Sequence, residues 1–417
     1  MFQTPFAKKT LLTFAAIAAA VLPSGCGSAD GEPTERTLRI YVSQPTTGNR
    51  GGEDTIRAVK IAVANQDSRV EAAAIEVIGL NSGAPDGSFD PALVTANARR
   101  AAADPMAVAY IGDKDSGATE LAMPILNQAG ILQVSSTSTA VKLTRPSPRL
   151  GERLRPTGIR TFARVVPNDT VQSAALSQFM QEETVTKVYV VDDGGTYGFG
   201  LKKYFERFAS RVGIEVVGSA SATPSTDMLE VTEAVDRSRA NAVLYAGGDL
   251  PIGLDLFEAI DRASVPVKLF SGDGAANDGF LEALGDTELD TYITAPMLPA
   301  GNYAVSGGSF FDTYRDRHGE EADPMSIFGY EAGDAVMDSI RTGVRGDIAT
   351  EAVTTIRKQT RDAFFSISER ASTLGSYSID ANGDTTLSFY GAYRVEDGTL
   401  VLGRAINVTD SVLEAAE

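Results

Sequence analysis

The sequence predicts an α/β protein whose parallel sheets carry helices on both faces. Three observations lead to this prediction. Short apolar segments of strand length alternate with longer helix-like segments along most of the chain. Several apolar segments end in small polar residues, as buried parallel strands do when their carboxyl ends open into a ligand crevice. The chain has 417 residues, too many for one such sheet, and the strand segments form two series that divide near Arg164.

The first residues are typical of an export signal. Lys8 and Lys9 precede an apolar segment, residues 11–22, which is shorter than the ~20 residues that span a bilayer. Residues 22–26 resemble a bacterial lipobox, in which the cysteine is lipidated and becomes the first mature residue, although Pro23 stands where leucine is usual. An ordinary secretory signal is the alternative. Cys26 is the only cysteine in the chain, so it cannot form an internal disulfide.

We therefore expect a lipoprotein signal peptide over residues 1–25 and a polar tether over residues 26–36. The protein would be exported and held by lipid on Cys26 at the outer face of the cell membrane. The sequence contains no second long apolar segment, so we expect no other membrane span.

The element boundaries follow the apolar segments. The expected strands are 38–42, 74–80, 107–111, 132–135, 187–191, 215–218, 242–245, 268–271 and 291–295. The expected helices are 55–65, 91–103, 119–128, 171–182, 201–212, 229–239 and 252–263, with helix-rich sequence over 309–361. The end differs, because β-rich residues 385–394 and 399–402 flank an Asp-Gly pair, which predicts a hairpin.

Composition and residue inventory exclude several function classes. The net charge of −18 argues against nucleic-acid binding, which needs a basic surface. His318 is the only histidine, so the chain offers no evident Ser/His or Cys/His pair and no multi-histidine metal site. Asp380, Asn382 and Asp384 resemble the start of a calcium loop but lack its later glutamate, which favours a turn. We expect no enzyme activity, no cofactor and no metal.

Five polar strand ends occur in a specific order and spacing. They lie at residues 111–116, 131–139, 190–198, 246–249 and 271–274. The series resembles the leucine/isoleucine/valine-binding family of extracytoplasmic solute receptors, the type I periplasmic binding proteins that feed ABC importers. The resemblance covers about residues 38–402. It implies two lobes, each a doubly wound parallel sheet with flanking helices, formed by residues 37–164 with 297–371 and by residues 165–296 with 372–410.

The same resemblance implies a non-enzymatic, monomeric receptor. Its lobes would close over an amino acid of the branched-chain type, or a related small amphipathic ligand, and present it to ABC permease subunits. A sensor of the same fold that reports to a signalling partner is one alternative, and a hydrolase with Ser116 as nucleophile is another. Residues 145–160, with five arginines and three prolines, fit a solvated loop near the hinge or a contact with the importer or an anionic surface.

Ser116 and Thr139 are the candidate carboxylate ligands. Ser116 is expected to be the N-cap of the helix that follows a strand, where anions are favoured, although a plain cap is the alternative. The resemblance implies that Ser116 and Thr139 hold the ligand carboxylate and that the Thr137 carbonyl accepts from the ammonium. It also implies that Asp273 of the second lobe pairs with the ammonium. An Asp-Gly turn is the alternative for Asp273.

Three further residues are expected near the ligand. By the same resemblance Tyr197 lines the cleft from the second lobe, and a half-buried packing aromatic is the alternative. Gly248 and Asp249 occupy a segment that often carries aromatic residues over the ligand side chain. A glycine and an acid there leave room for a larger or polar ligand, with Asp249 placed to meet a positive group.

Overall fold

The computed structural model describes residues 36–285, 289–303 and 305–414. The expected signal peptide, Cys26 and the tether up to residue 35 lie outside these residues. Arg36 begins the first strand. Within the described ranges, no helix combines the length and the apolar character needed to cross a membrane.

The first sheet has six strands in the order β2-β3-β1-β4-β5-β6. They are β1 (Arg36–Gln44), β2 (Arg69–Val70), β3 (Ala73–Asn81), β4 (Ala107–Ile111), β5 (Leu132–Ser135) and β6 (Phe162–Arg164). All neighbours are parallel except β2 and β3. The connecting helices are α1 (Arg50–Asn65), α2 (Pro91–Ala103), α3 (Ser116–Gln128) and α4 (Pro148–Leu154). The strand order reverses between β1 and β4, which is where open α/β sheets place their ligand crevice.

The second sheet has seven strands in the order β15-β14-β11-β10-β9-β7-β8. They are β7 (Lys187–Asp192), β8 (Glu215–Ser221), β9 (Ala242–Ala246), β10 (Lys268–Ser271), β11 (Thr291–Ala295), β14 (Phe389–Glu396) and β15 (Thr399–Asn407). The first five are mutually parallel, whereas β14 and β15 are antiparallel. The helices are α5 (Asp169–Glu182), α6 (Thr196–Arg211), α7 (Met228–Ser238), α8 (Leu250–Arg262) and α9 (Asp278–Leu284). Here the order reverses between β7 and β9.

The chain returns to the first sheet after the second is nearly complete. The returning helices are α10 (Val305–His318), α11 (Ser326–Gly343) and α12 (Val353–Phe364). Helix α11 packs on α1, where a Cβ at Gly333 would touch Val59 and Ala62. Arg357 of α12 donates to the carbonyl of Ala107 in β4 at 2.7 Å. A small hairpin, β12 (Arg370–Ser372) and β13 (Gly375–Tyr377), then precedes β14, and α13 (Asp410–Glu414) ends the described chain.

The strands expected from the sequence are confirmed within three residues at each end. All residues of β4, β5, β9 and β11 are buried, because helices cover both faces of the sheets. The expected hairpin is also confirmed, with Asp397 and Gly398 both at positive φ in its two-residue turn. Its first strand begins at Phe389 rather than at residue 385.

Three of the expected helix starts are wrong, each in the same direction. Helices α1, α3 and α6 begin at Arg50, Ser116 and Thr196 rather than at residues 55, 119 and 201. Their first turns hold glycine, serine and threonine, which have no apolar periodicity to reveal a helix. Residues 145–160 are not simply a loop either, because they contain α4.

Candidate functional site

The candidate site lies at the carboxyl ends of the strands, where both sheets reverse their order. Loop 112–116 follows β4 and loop 136–140 follows β5 in the first sheet. Loop 193–195 follows β7 and the short 3₁₀ turn Asp273–Ala275 follows β10 in the second. We call the region between these four segments the cleft.

The amino end of α3 forms one wall of the cleft. The expected N-cap at Ser116 is wrong, because the helix begins at Ser116 and Asp115 occupies the cap position. The Asp115 side chain makes no capping hydrogen bond. The backbone N–H groups in the first turn of α3 therefore remain available to an acceptor outside the helix. Ser116 is 4% exposed, and its Oγ accepts from the backbone N–H of Ala140 at 3.2 Å. Its hydroxyl proton therefore remains for an acceptor in the cleft.

The hydroxyl-rich loop after β5 folds on itself. Ser135 Oγ and Ser138 Oγ donate to the Asp113 carbonyl at 3.2 and 3.0 Å. Thr137 Oγ1 donates to the Lys114 carbonyl at 2.8 Å. These bonds tie the loops after β4 and β5 together. The Thr137 carbonyl accepts no hydrogen bond from a described residue.

The Arg164 side chain holds this loop through hydrogen bonds to its backbone. The sequence analysis did not identify Arg164 as a functional residue. Its guanidinium is fully buried and donates to the carbonyls of Ser138 and Ala140 at 2.8 and 3.1 Å. It also forms an ion pair with Asp384 at 2.7 Å. Thr139 lies between the two carbonyls, so Arg164 fixes the backbone on both sides of it.

The second sheet contributes an acid and a tyrosine in direct contact. The Tyr197 hydroxyl donates to Asp273 Oδ1 at 2.8 Å and approaches Gln172 Oε1 at 3.3 Å. Burial raises the pKa of Asp273, while the Tyr197 hydroxyl and the Gln172 amide oppose that rise. The Tyr197 ring packs against backbone at Gly248 and Gly274, where an added Cβ would lie 3.8 and 3.1 Å from ring carbons.

A second acid, Asp169, lies behind Thr139 and was missed by sequence reasoning. Its backbone N–H donates to the Thr139 carbonyl at 2.9 Å, and its side chain is fully buried. Neither carboxylate oxygen has a hydrogen-bond partner within 3.5 Å among the described residues, but the Thr139 hydroxyl and the Arg164 charge lie near enough to act on the group. Burial raises the pKa of Asp169 to about 8, with the Thr139 hydroxyl opposing and the Asp273 charge adding to that rise. Asn168 already caps α5, so Asp169 is not needed for capping.

The structure does not bring the Asp249 side chain to Asp273. Asp249 is exposed and caps α8, where its Oδ1 accepts from the Ile252 N–H at 3.2 Å. The N–H groups of Gly248 and Asp249 donate to Asp193 Oδ2 at 2.8 and 3.1 Å. Gly248 thus contacts the Tyr197 ring through its backbone. The Asp249 carboxylate serves as the N-cap of α8.

Helices from the two sheets meet at the edge of the cleft. Thr196 Oγ1, in the first turn of α6, donates to Glu120 Oε2 of α3 at 3.1 Å. Lys142 forms an ion pair with Glu120 at 2.8 Å, and Arg153 forms another. The cap residue of α6 is Gly195, which has no side chain to cap the helix. The Glu120 carboxylate therefore supplies negative charge at that helix end.

The groups around the cleft carry charges of both signs. The amide and hydroxyl donors at the start of α3 suit an anion, and the carboxyl groups of Asp273 and Asp169 suit a cation. In the described part of the chain, no three His, Cys, Asp or Glu side chains cluster in a way that would hold a metal ion. His318 lies at the end of α10 with its ring 4.6 Å from the Tyr314 ring, and it makes no hydrogen bond to Ser116.

The sequence matches known proteins over most of its length. A profile of the family described as periplasmic binding protein matches residues 46–384. The chain is 24% identical to the Leu/Ile/Val-binding protein BraC3 of Rhizobium johnstonii over 297 residues, which cover 70% of this chain and 74% of that protein. An amino acid binding protein of Pseudomonas aeruginosa is 22% identical over 317 residues, which cover 75% and 78%.

Solved structures match the fold. A leucine-binding protein of Thermotoga maritima has a TM-score of 0.74 at 19% identity, covering 89% of this chain and 99% of that chain. A solute-binding protein of Rhodopseudomonas palustris, in complex with 3,4-dihydroxybenzoic acid, has a TM-score of 0.69 at 17% identity, covering 90% and 98%. At these identities the likeness concerns the fold, and the fold class expected from the sequence is confirmed.

Proposed function

The chain belongs to the periplasmic binding protein family, and from that premise we propose that it binds an α-amino acid and delivers it to an ABC permease. The ligand would lie in the cleft, between two lobes formed by residues 37–164 with 297–371 and by residues 165–296 with 372–410. Closure of the lobes over the ligand would produce the form that the permease recognises.

The observation that carries this proposal is the opposition of donors and acids across the cleft. The uncapped amino end of α3 and the Ser116 proton favour a carboxylate. Asp273, held by Tyr197, and the unpartnered Asp169 favour an ammonium. In this proposal Thr139 adds a hydroxyl and Thr137 a carbonyl, which are the roles that the family resemblance implies. The α-carbon of an amino acid carries both charged groups within the span of one small ligand.

An aromatic carboxylate is the second candidate, because a structural neighbour is described in complex with 3,4-dihydroxybenzoic acid. Such a ligand shares the carboxylate with an amino acid and lacks the ammonium. It would leave Asp273 and Asp169 buried beside an apolar ring with no cation. The two acids therefore favour the amino acid.

The other roles have weaker support. A hydrolase would need a base for Ser116, but the hydroxyl accepts only from the Ala140 N–H among the described residues, and the matched relatives are named as binding proteins. A sensor would use the same site and the same closure, and would differ only in the membrane partner that reads the closed form.

Membrane attachment through lipid on Cys26 is part of the proposal. The experiment is mass spectrometry and membrane fractionation of the native chain beside Cys26→Ser. The native chain should carry lipid and sediment with membranes, and the variant should lose both properties. A variant that keeps the same lipid mass and stays in the membrane fraction would contradict lipid attachment at Cys26.

Ligand binding is tested by thermal shift with the standard amino acids and with benzoate derivatives, followed by calorimetry on the hits. Binding to the folded form alone raises stability by RT ln(1 + [L]/Kd), which is ~2.7 kcal/mol at a hundredfold excess over Kd. We expect at least one α-amino acid to stabilise the protein. Stabilisation by aromatic acids alone would favour the second candidate and reject the first.

A further inference from the structure

We infer that Arg164 and Asp384 form a positioning pair, which orders loop 136–140 before a ligand arrives and attaches it to the connections between the two sheets. The inference rests on the proposed function, and it names two residues that set ligand affinity without touching the ligand. Its basis is a buried network of hydrogen bonds that joins three separate segments of the chain.

The Arg164 side chain is fully buried and has a partner for each of its three nitrogens. Nε donates to Asp384 Oδ1 at 2.7 Å, and Nη2 donates to the Thr144 hydroxyl at 2.7 Å. Nη1 donates to the carbonyls of Ser138 and Ala140 at 2.8 and 3.1 Å. Because an unmet buried donor is costly, these bonds hold the guanidinium in one position. The two carbonyls of the loop are held with it.

Asp384 belongs to a turn whose acids receive arginines. The Asp380 carboxylate accepts from the N–H groups of Asn382 and Asp384 at 2.8 Å each, which closes the turn. Arg145 then forms ion pairs with Asp380 at 3.3 Å and with Asp384 at 3.4 Å. The acids that resemble the start of a calcium loop therefore bind guanidinium groups. One of these groups comes from the arginine-rich segment and the other from Arg164.

The positioning pair lies where the chain passes between the two sheets. Arg164 ends β6 in the first sheet, and the chain continues into α5, which packs on the second sheet. Asp384 lies on a later connection, between the β12–β13 hairpin and β14 of the second sheet. The backbones of the two connections also meet, because the Arg164 N–H donates to the Gly383 carbonyl at 2.9 Å. The network thus attaches loop 136–140 to both connections.

The consequence concerns Thr139, the proposed carboxylate ligand in this loop. The carbonyls of Ser138 and Ala140 are fixed on its two sides, and its own carbonyl accepts from the Asp169 N–H at 2.9 Å. A loop that is ordered before binding loses less conformational entropy when the ligand arrives. If the network were weakened, the ligand would have to order the loop itself, and affinity would fall.

The first test is hydrogen exchange on the ligand-free, full-length protein, followed on peptides that cover residues 136–140. Arg164→Lys keeps the charge and lacks the planar guanidinium that meets four acceptors at once. We expect the amides of this loop to exchange about tenfold faster in the variant.

Arg357→Lys is the matched control. Arg357 is also buried, and it donates to three backbone carbonyls at the amino edge of the first sheet, away from the cleft. The substitution should lower the melting temperature and leave exchange over residues 136–140 unchanged. Loss of stability alone is thereby separated from loss of order in the loop.

The second test is calorimetry of the same variants with the standard amino acids. For the amino acid that binds the native chain most tightly, Kd should rise about tenfold in Arg164→Lys. It should stay near the native value in Arg357→Lys. Asp384→Asn keeps the shape of the turn and removes the charge that holds Arg164, so it should also raise Kd. In the double variant, Kd should rise by less than the product of the two single changes, because the pair acts as one unit.

The outcomes separate this inference from the proposed function. Native exchange over residues 136–140 in Arg164→Lys would overturn the inference, and so would faster exchange with native affinity. Equal loss of affinity in Arg164→Lys and Arg357→Lys would mean that the pair supports only the fold. Should Arg164→Lys fail to fold, Asp384→Asn takes its place in both measurements. Absence of amino-acid binding to the native chain would reject the proposed function, and the exchange rates would still decide whether the pair orders the loop.

Discussion

We expect the buried carboxyl of Asp169 to make ligand binding sensitive to pH. Its pKa is raised to about 8, so it holds a proton at neutral pH when no cation is present. A ligand ammonium beside it favours the ionised form, so binding releases that proton. We expect affinity to rise as pH increases from 6 to 8. Calorimetry in two buffers of different ionisation enthalpy measures the released proton directly.

Asp169→Asn is the matched variant for this effect, because it keeps the shape and cannot ionise. It should flatten the pH dependence of affinity between pH 6 and 8. Without ligand, the raised pKa means that the contribution of Asp169 to stability is fully present below its unfolded pKa near 4. That contribution is lost as pH rises through about 8. The variant should therefore unfold at a higher temperature than the native chain at pH 8. An unchanged proton release in the variant would assign the titration to another group.

The ammonium and the carboxylate of the ligand should contribute unequally to the binding free energy. Asp273→Asn removes one partner of a desolvated charge pair, a loss that typically costs ~2–5 kcal/mol. Ser116→Ala should cost less, ~1–2 kcal/mol, because the amides of α3 remain. Calorimetry on both variants checks the order, with Asp255→Asn on the exposed face of α8 as control. Native affinity in Asp273→Asn for an α-amino acid would remove Asp273 from the site.

At the residue scale, the sequence pattern indicates polar groups that follow a strand and precede a helix, and the family resemblance supplied their proposed ligand roles. Ser116, Thr139 and Asp273 stand out because small polar residues interrupt apolar sequence there. Asp169 and Arg164 do not stand out, because an acid after a helix cap and an arginine in a short strand are common. Only the folded chain places Asp169 against Thr139 and Arg164 beneath Ser138.

At the scale of elements, we propose that the contact between α3 and α6 links ligand binding to closure. The bond from Thr196 to Glu120 joins the first sheet's helix to the second sheet's helix without using a proposed ligand-binding side chain. If it belongs to the closed form, Glu120→Ala and Thr196→Ala should each weaken ligand binding. The loss of binding free energy in the double variant should be smaller than the sum of the two single losses. We expect a difference of ~1 kcal/mol, which is the coupling energy of the charge-assisted hydrogen bond.

A double-mutant cycle of ligand affinity by calorimetry measures this coupling. Arg153→Ala is the control, because it removes a partner of Glu120 and leaves Thr196 in place. Strict additivity of the two substitutions would mean that the contact does not contribute to the ligand-bound state.

The helix starts illustrate what a pattern can and cannot predict. Helices α2 and α8 carry proline in their first turn after an aspartate cap, and their starts were predicted within two residues. Helices α3 and α6 begin with Ser-Gly and Thr-Tyr-Gly, which read as loop because they lack apolar spacing. These two first turns line the cleft.

At the scale of the whole molecule, each sheet with its packed helices is built from two separate parts of the chain. Residues 305–364 form helices that pack on the first sheet, and β14 and β15 complete the second. Local periodicity predicts each helix and strand, but it contains no information on which sheet a late element joins. That assignment depends on long-range contacts such as Arg164 with Asp384, which no local pattern encodes. Only the resemblance to a family predicted the return.

Such a connection allows the two halves to move as bodies about the crossing segments, and ligand should shift the population toward the closed arrangement. Small-angle scattering should therefore give a smaller radius of gyration with a confirmed ligand than without it. Glu120→Cys with Thr196→Cys, in the Cys26→Ser background, places a unique thiol pair at the contact between α3 and α6. Crosslinking this pair with a short bismaleimide should give the smaller radius without ligand and slow ligand exchange. A radius that changes neither with ligand nor with the crosslink would mean that the cleft is a rigid pocket, and delivery by closure would then be rejected.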